Sequence, residues 1–323
     1  MHGSAPEFFA HSGWFDDIDE LSEASRGWDV EFHQLDRGSF KGSLRQISCG
    51  PVLITHIFFN RRLELTASAQ AGSRTFGVHM TQPARWCRMD SSEGDIQAHR
   101  GGEEVEVITQ PGYGAYTVTL AEDFFGKICE QVGFPELGEP SKTVDVFTCH
   151  PSKSKELYNN LHNGSVGMAR SMKLPDYPRA SQYLQLEFLP MLCRTLVSAQ
   201  PSNILLTPKL RAQAIRRAKD YIASFADVPP TIRDLCQAAG VSERTLHYAF
   251  LEELGVTPKA YTKAYRLNSA KKELRRSDPS CTRIADIANH WGFWHMGQFA
   301  ADYRKMFSEL PSETIQMRAA STP

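Results

Sequence analysis

An internal repeat in the last third of the chain constrains its fold more than any other feature. One copy spans residues 232–250 and the other spans residues 284–303. Each copy begins with apolar residues at positions i, i+3 and i+4, which predicts an amphipathic helix. A glycine, Gly240 or Gly292, then stands where the end of a helix favours a positive φ. A second pair of apolar residues four positions apart follows, so each copy predicts two helices joined by a tight turn.

The two copies stay in register with each other. Residues of the first helices match at a constant offset of 52, and those of the second helices match at an offset of 53. Ser242 is a favourable N-cap for the second helix of the first copy. Either copy alone could be a helical hairpin of a bundle, but two copies in register favour paired helix-turn-helix motifs. In that motif the first helix supports the second, which can enter a major groove of DNA.

The segment between the copies, residues 258–276, is helical in composition and strongly basic. Its cationic residues are Lys259, Lys263, Arg266, Lys271, Lys272, Arg275 and Arg276. As one helix it could hold the two motifs about one turn of DNA apart, with both recognition helices on the same side. Its basic residues could contact phosphates, which provide salt-dependent affinity without sequence choice, or could form a solvated face.

Charge and cysteine usage bound the class of protein. The net charge is −1, but the region from Leu205 onward has 18 basic against 12 acidic residues and the remainder is net −7. This asymmetry is consistent with a C-terminal region that attracts polyanions. The seven scattered cysteines form no CxxC pair, which favours reduced thiols over disulfides or zinc. With no apolar run of about 20 residues and no secretory signal, we expect a cytoplasmic protein that does not contact a membrane.

The residues before the repeat change from a strand pattern to a helix pattern. The first 40 residues predict helices and loops. Short runs rich in Val, Ile, Thr and aromatic residues then predict strands from about residue 42 to 120, and such strands form a small β-barrel or a sandwich. Helices are predicted at residues 121–133, 153–170 and 179–199, and Pro190 should kink the last of them. Residues 201–209 contain two prolines and predict a linker.

The C-terminal third resembles the AraC/XylS family of bacterial transcription regulators. The resemblance covers about residues 211–318 and rests on the paired motifs, on YTKAYRLNSAKKELRRSD between them, on IADIANHWGF and on the closing FSELPSE. Ser308 departs from the glycine usual in the family, and Thr314 or Ile315 replaces a common aromatic residue. The resemblance implies a DNA-binding domain of seven helices at residues 210–320, with helix-turn-helix motifs at about 231–254 and 283–307.

The resemblance also assigns positions that face the bases. Those positions carry Arg244, His247 and Tyr248 in the first motif, and Met296, Gly297, Ala300 and Ala301 in the second. An arginine can pair bidentately with guanine, whereas the second set has small or apolar side chains. We therefore expect the first motif to carry most of the direct base readout. Expected phosphate contacts are Ser242, Thr245, Lys263, Arg266, Arg304 and Lys305.

The implied fold is α+β, with a small cupin-like β-barrel to about residue 120, helices to about residue 200, and the all-α domain after the linker. In this family the front domain, here residues 1–200, binds an effector, mediates dimerisation or does both. We therefore expect a homodimeric transcription activator that binds double-stranded DNA, contacts RNA polymerase in the bacterial nucleoid and responds to a small molecule of unknown identity.

The alternative is a metal-binding or catalytic barrel fused to a DNA-binding tail. Its candidate ligands would be His33, His56, His79 and His99. They lie on separate segments and lack the His-x-His spacing typical of a facial triad. The sequence also lacks a GxSxG elbow, a Walker A motif and a dinucleotide fingerprint. We therefore predict no catalytic residue, no metal site and no cofactor.

Overall fold

The computed structural model describes residues 8–87, 89–139, 145–171, 177–201, 209–225 and 228–321. The chain divides into two compact units. One, the sheet unit, comprises Met1–Glu31, Lys41–Asn60 and Leu65–Leu205, and the other, the helical unit, comprises Phe32–Phe40, Arg61–Glu64 and Leu206–Pro323. Most of the predicted linker, residues 202–208, lies outside the described residues. The α+β class is confirmed: an antiparallel sheet-rich part precedes a helical part.

Strands dominate the sheet unit. Those in the described residues are β1 (Phe8–Phe15), β2 (Trp28–Gln34), β3 (Gly42–Cys49), β4 (Val52–Phe59), β5 (Leu63–Ala69), β6 (Ser73–His79), β7 (Ala84–Trp86), β8 (Met89–Ser91), β9 (Ile96–Arg100), β10 (Val105–Thr109), β11 (Tyr113–Ala121), β12 (Asp145–Thr148) and β13 (Gln200–Pro201). They form a large sheet in the order β1-β3-β4-β11-β6-β9-β12-β13 and a smaller one in the order β2-β5-β10-β7-β8.

The prediction of helices and loops for the first 40 residues is wrong, because β1 and β2 lie there. β1 pairs with β3 along its whole length, from Phe8 opposite Cys49 to Phe15 opposite Gly42. Only one short helix, α1 (Ile18–Ala24), occurs among the described residues of this stretch, and Asp17 caps its N-terminus. The sequence FFAHSGWF alternates too weakly to predict a strand, so β1 depends on its long-range pairing.

Helices cover one face of the large sheet. They are α2 (Glu122–Val132), α3 (Pro151–Ser171), α4 (Tyr177–Tyr183) and α5 (Leu189–Ser198). Apolar residues from this face, including Phe76, Val118 and Ile54, form one buried core with Phe125 and Leu161 of the helices. The predicted irregularity near Pro190 is a π-helical turn over Leu184–Phe188, and α5 begins directly after it. No helix in the described part of the chain has the length and apolar character needed to cross a membrane.

Seven helices occur in the described residues of the helical unit, as the resemblance implies. They are α6 (Lys209–Ser224), α7 (Ile232–Ala239), α8 (Glu243–Leu254), α9 (Pro258–Arg276), α10 (Ile284–His290), α11 (Met296–Phe307) and α12 (Pro311–Ser321). The central one, α9, is about 28 Å long, since an α-helix rises 1.5 Å per residue. It buries Leu267, Ala270 and Leu274 against apolar residues of α10, α11 and α12.

Two short segments from early in the chain belong to the helical unit. The side chain of Asn268 on α9 accepts a hydrogen bond from the backbone N–H of Gln34 at 3.0 Å and donates to its carbonyl oxygen at 2.9 Å. Glu64 is buried; its carboxylate accepts a hydrogen bond from the Tyr261 hydroxyl at 2.8 Å and forms an ion pair with Lys219 at 2.6 Å. These polar contacts hold residues 32–40 and 61–64 against the helices.

Candidate nucleic-acid interface

The first helix-turn-helix motif consists of α7 and α8. Thr231 and Asp234 form a capping box at the start of α7, since each side chain accepts a hydrogen bond from the backbone of the other. Gly240 ends the helix with a φ of +69°, as its position in the repeat predicts. Ser242 then caps α8 and accepts a hydrogen bond from the backbone N–H of Thr245 at 3.2 Å. The three-residue turn thus satisfies part of the free backbone groups at the two helix ends.

α8 has one buried face and one exposed face. Its buried side chains include Leu246, Phe250 and Leu254. The three residues assigned to base contact, Arg244, His247 and Tyr248, are all exposed. The Arg244 guanidinium lies 5.5 Å from the centre of the Tyr248 ring, and Tyr248 is 53 % exposed. Both side chains are therefore accessible to a partner that approaches this face of α8.

The second motif consists of α10 and α11 and has a longer connection, residues 291–295. Gly292 has a φ of +67°, which confirms the prediction for the repeat. Phe299, Tyr303 and Phe307 of α11 are buried in the core of this motif. α11 ends at Ser308, which adopts a φ of +62° in the position where the family usually has glycine.

The exposed residues at the start of α11 differ in part from those predicted. Gly297 and Ala301 are exposed, while Met296 and Ala300 are half-buried. The sequence analysis missed three further exposed side chains: Trp294, which is 63 % exposed, His295 and Gln298. The run WHMGQ, which is polar or aromatic at three of five positions and precedes the buried Phe299, is the signal that could have indicated them.

Arg266 lies inside the helical unit, although it is one of the residues assigned to phosphate. Its side chain is 5 % exposed, donates a hydrogen bond to the carbonyl oxygen of Trp291 and lies 4.7 Å from the centre of the Phe293 ring. Burial lowers the pKa of its guanidinium to about 10. The Arg266 side chain is therefore directed to the turn of the second motif and is not available to a phosphate.

The other predicted phosphate contacts lie on the surface in two different settings. Ser242 and Thr245 stand at the N-terminus of α8, where free backbone N–H groups and the helix dipole favour anions. Arg304 and Lys305 are exposed near the end of α11. Lys263 is exposed on α9, but its ammonium group is 2.9 Å from the carboxylate of Asp302.

The Asp302 carboxylate joins the middle of α9 to α11. Partial burial alone would raise its pKa, but hydrogen bonds from Lys263 and Gln298 and the charges of Lys263 and Lys305 lower it. The carboxylate is therefore ionised at neutral pH, and it holds both Lys263 and Gln298 in intramolecular contacts.

The four histidines considered as metal ligands are not brought together. His33 stacks on Tyr265 in the helical unit, whereas His56 lies against Tyr116 on the helix-covered face of the large sheet. His79 and His99 lie on neighbouring strands of the opposite face. Within the described ranges, no three His, Cys, Asp or Glu side chains converge in a way that could hold a metal ion.

Two helix-turn-helix motifs around one central helix define the class of this region as a DNA-binding domain. The family model described as "Helix-turn-helix domain" matches residues 235–317, which contain most of both motifs.

Curated relatives agree with this class. Over 102 residues the chain is 38 % identical to the "Probable thc operon regulatory protein" of Rhodococcus erythropolis, which covers 32 % of this chain and 31 % of that protein. Over 86 residues it is 36 % identical to the "XylDLEGF operon transcriptional activator" of Pseudomonas putida, covering 27 % of each protein. The chain thus matches about a third or less of the length of these relatives.

A solved structure shows the same likeness in sequence. It is that of "a probable AraC family transcriptional regulator" from Rhodopseudomonas palustris, with 39 % identity over 32 % of this chain and 96 % of that one and a TM-score of 0.30. The C-terminal region of this chain is thus similar to the helix-turn-helix domains of AraC/XylS-type transcriptional regulators.

Proposed function

We propose that this protein is a sequence-specific DNA-binding transcription regulator that acts by binding rather than by catalysis. The observation that carries the proposal is the pair of helix-turn-helix motifs, with an exposed arginine, histidine and tyrosine on the recognition helix of the first. The name of the Pseudomonas relative, an activator of an operon, supports activation as the direction of control.

In this proposal the two motifs make unequal contributions. Arg244 reads a guanine through a bidentate pair, while His247 and Tyr248 contact a neighbouring base edge or phosphate. The second motif contributes mainly apolar contact from Met296, Gly297, Ala300 and Ala301, all of them at least partly exposed. Trp294 adds an exposed aromatic surface beside them.

Phosphate contacts position both recognition helices without selecting a sequence. We assign them to Ser242 and Thr245 at the start of α8 and to Arg304 and Lys305 on α11. Lys263 contributes only when it leaves Asp302, so its share is smaller than those of Arg304 and Lys305. Because phosphate binding releases counterions, affinity should fall steeply as salt rises.

Selection of bound sequences from a random double-stranded DNA pool, using the full chain, tests the proposal. We expect one preferred site, and Arg244→Ala should weaken binding to it by about 1–3 kcal/mol and relax the preference at one base pair. Met296→Ala should leave that preference unchanged. Arg304→Ala is the matched control, because it should weaken all sequences equally. Failure to enrich any sequence would contradict the proposed function, and the reverse pattern for Arg244 and Met296 would contradict the division between motifs.

We further propose that the protein acts as a homodimer, contacts RNA polymerase and responds to a small molecule through its sheet unit. Sedimentation of the full chain tests dimerisation. Transcription from the selected site, with purified RNA polymerase present, tests activation. A rise in transcript only when the protein and the site are both present is the expected outcome, and an unchanged or lowered transcript would contradict activation.

A further inference from the structure

The Asp302 carboxylate is the centre of a small polar network in the second motif. Asp302 lies one helical turn after Gln298 on α11, and Gln298 donates a hydrogen bond to its carboxylate. The ammonium group of Lys263 on α9 lies 2.9 Å from the Oδ2 atom of the same carboxylate. The side chain of Asp302 is only 13 % exposed, whereas Gln298 is exposed. Asp302 therefore holds an exposed amide from the protein side.

The chemistry of Asp302 fixes which way the Gln298 amide faces. An ionised carboxylate only accepts hydrogen bonds. Partial burial would raise the pKa of Asp302, but its contacts with Lys263 and Gln298 lower that pKa, so the carboxylate is ionised at neutral pH. The part of the amide turned toward Asp302 must then be the NH2 group. One of its hydrogens is donated to Asp302, which leaves the other hydrogen and the carbonyl oxygen Oε1 for a partner.

The remaining edge of the Gln298 amide is complementary to adenine. In the major groove adenine presents an acceptor, N7, beside a donor, the N6 amino group, and a glutamine side chain can pair with both. The second N–H of Gln298 can donate to N7 while Oε1 accepts from N6. Guanine presents two acceptors in the same place, so it does not match an edge with one donor and one acceptor.

The neighbours of Gln298 leave room for a base edge to approach. Gly297 and Ala301 are exposed and have no side chain larger than a methyl group. Gly297 does not adopt a positive φ, and a methyl group at this position would meet no other part of the described chain within 4 Å. Glycine is unfavourable in a helix relative to alanine. Close approach of a partner to the helix backbone explains a glycine here, which packing within the described residues does not.

We propose that Asp302 is a positioning residue that orients the Gln298 amide to read an adenine in the major groove. Lys263 holds the carboxylate in place, and Gly297 and Ala301 let the helix approach the base. The inference deepens the proposed function and rests on it. It adds one hydrogen-bonding reader to the second motif, whose other proposed base contacts are small or apolar.

The test uses the full chain and a DNA site selected from a random pool. Each adenine of the site is replaced in turn by 7-deazaadenine, which lacks the N7 acceptor. At one position this change should weaken binding of the wild type about fivefold, because one hydrogen bond is lost. The same change should have no effect on Gln298→Met, which keeps the length of the side chain without its amide. If every adenine tolerates the change in the wild type, the inference is wrong, and this measurement needs no variant to fold.

Asp302→Asn separates a positioning role from a structural one. The Asn oxygen should turn to the Lys263 ammonium group, which leaves an NH2 group facing Gln298 and forces the Gln298 carbonyl inward. The preference for adenine over the other bases should then fall from about tenfold to under about twofold. The slope of log affinity against log salt concentration should also steepen by up to about 0.9, because Lys263 becomes available to a phosphate.

A matched control accounts for the lost charge. Asp220→Asn makes the same change at an exposed position on α6 and should leave the preference for adenine intact. If Asp302 only supports the fold, Asp302→Asn will weaken all sequences alike and keep the preference, which would overturn the positioning role.

Gly297→Leu tests the close approach of α11. It should not lower the melting temperature, because the position is open, but it should weaken binding to every sequence at least about tenfold by collision with the groove. Affinity equal to that of the wild type would contradict the approach. If the pool yields no preferred site, the proposed function and this inference both fail. If a site is selected but none of its adenines needs N7, only this inference fails.

Discussion

The hydrogen bonds between Asn268 and Gln34 provide a sharp test of how the helical unit is built. Both residues are buried, and the amide of Asn268 pairs with both backbone groups of Gln34 in the way that a neighbouring strand would. Asn268→Ala removes both partners and leaves a buried N–H and a buried C=O unpaired.

The expected loss follows from these contacts. An ordinary hydrogen bond contributes about 0.5–1.5 kcal/mol net, and each buried group left unpaired costs about 1–3 kcal/mol. Water that enters the space left by the smaller side chain will satisfy part of this demand. We therefore expect Asn268→Ala to lower the free energy of unfolding by about 2–4 kcal/mol.

Urea unfolding of the full chain measures this loss, and amide hydrogen exchange locates it. The Gln34 amide should exchange slowly in the wild type and much faster in Asn268→Ala. Ser269→Ala is the matched control: its hydroxyl donates only to the Tyr265 carbonyl one turn earlier, so its loss should cost under about 0.5 kcal/mol. If Asn268→Ala costs no more than this control, or leaves the Gln34 amide equally protected, residues 32–40 are not held as described.

Three further predictions concern DNA binding, a helix end and pH. Arg266→Met should leave the slope of log DNA affinity against log salt concentration unchanged. Arg304→Met should reduce the magnitude of that slope by about 0.9, as the loss of one phosphate contact predicts. A reduced slope for Arg266→Met would indicate that Arg266 contacts a phosphate. Ser308→Gly should raise the free energy of unfolding by about 0.5–1 kcal/mol, because glycine adopts the positive φ without strain, and an unchanged denaturation midpoint would argue against it. The pKa of His99 is about 4 in the folded protein and about 6.5 in the unfolded chain. The free energy of unfolding is therefore undiminished by His99 above pH 6.5 and decreases as the pH falls from 6.5 towards 4, by up to about 1.4 kcal/mol per pH unit. Urea unfolding from pH 7 to 5 should show a smaller decrease for His99→Gln than for the wild type.

The helix-turn-helix motifs could be predicted from sequence because their determinants are local. Helical periodicity, the N-cap Ser242 and the positive φ of Gly240 and Gly292 all act within a few residues of one another. The strand β1 could not be predicted in this way. Its residues alternate only weakly between polar and apolar. Its pairing partner, β3, lies more than 25 residues away in the sequence, so local preferences do not indicate the pairing.

The placement of Arg266 shows how composition misleads on a central helix. Seven basic residues on α9 predict a cationic surface, but this helix is packed on most of its sides. Thr262, Arg266 and Ala270 lie four residues apart on one ridge, and all three are buried. The small residues Thr262 and Ala270, each four positions from Arg266, could have indicated from the sequence that this ridge faces the core. Charge alone therefore overestimates the phosphate contacts of a helix that other helices surround.

The two faces of the large sheet differ in polarity, and the sequence alone does not show that both faces are buried. Along β6 the inward residues Thr75 and His79 alternate with the outward residues Phe76 and Val78, and all four are buried. Ordinary alternation of polar and apolar residues would be interpreted as a strand with one solvated face. Here the second sheet covers the polar face, and only its position shows that this face is an interior. The polar groups of this interior are satisfied in part by contacts between strands, such as those of Thr75 with Thr119 and of His79 with Ser91, and residues so far apart in sequence can be paired only from the structure.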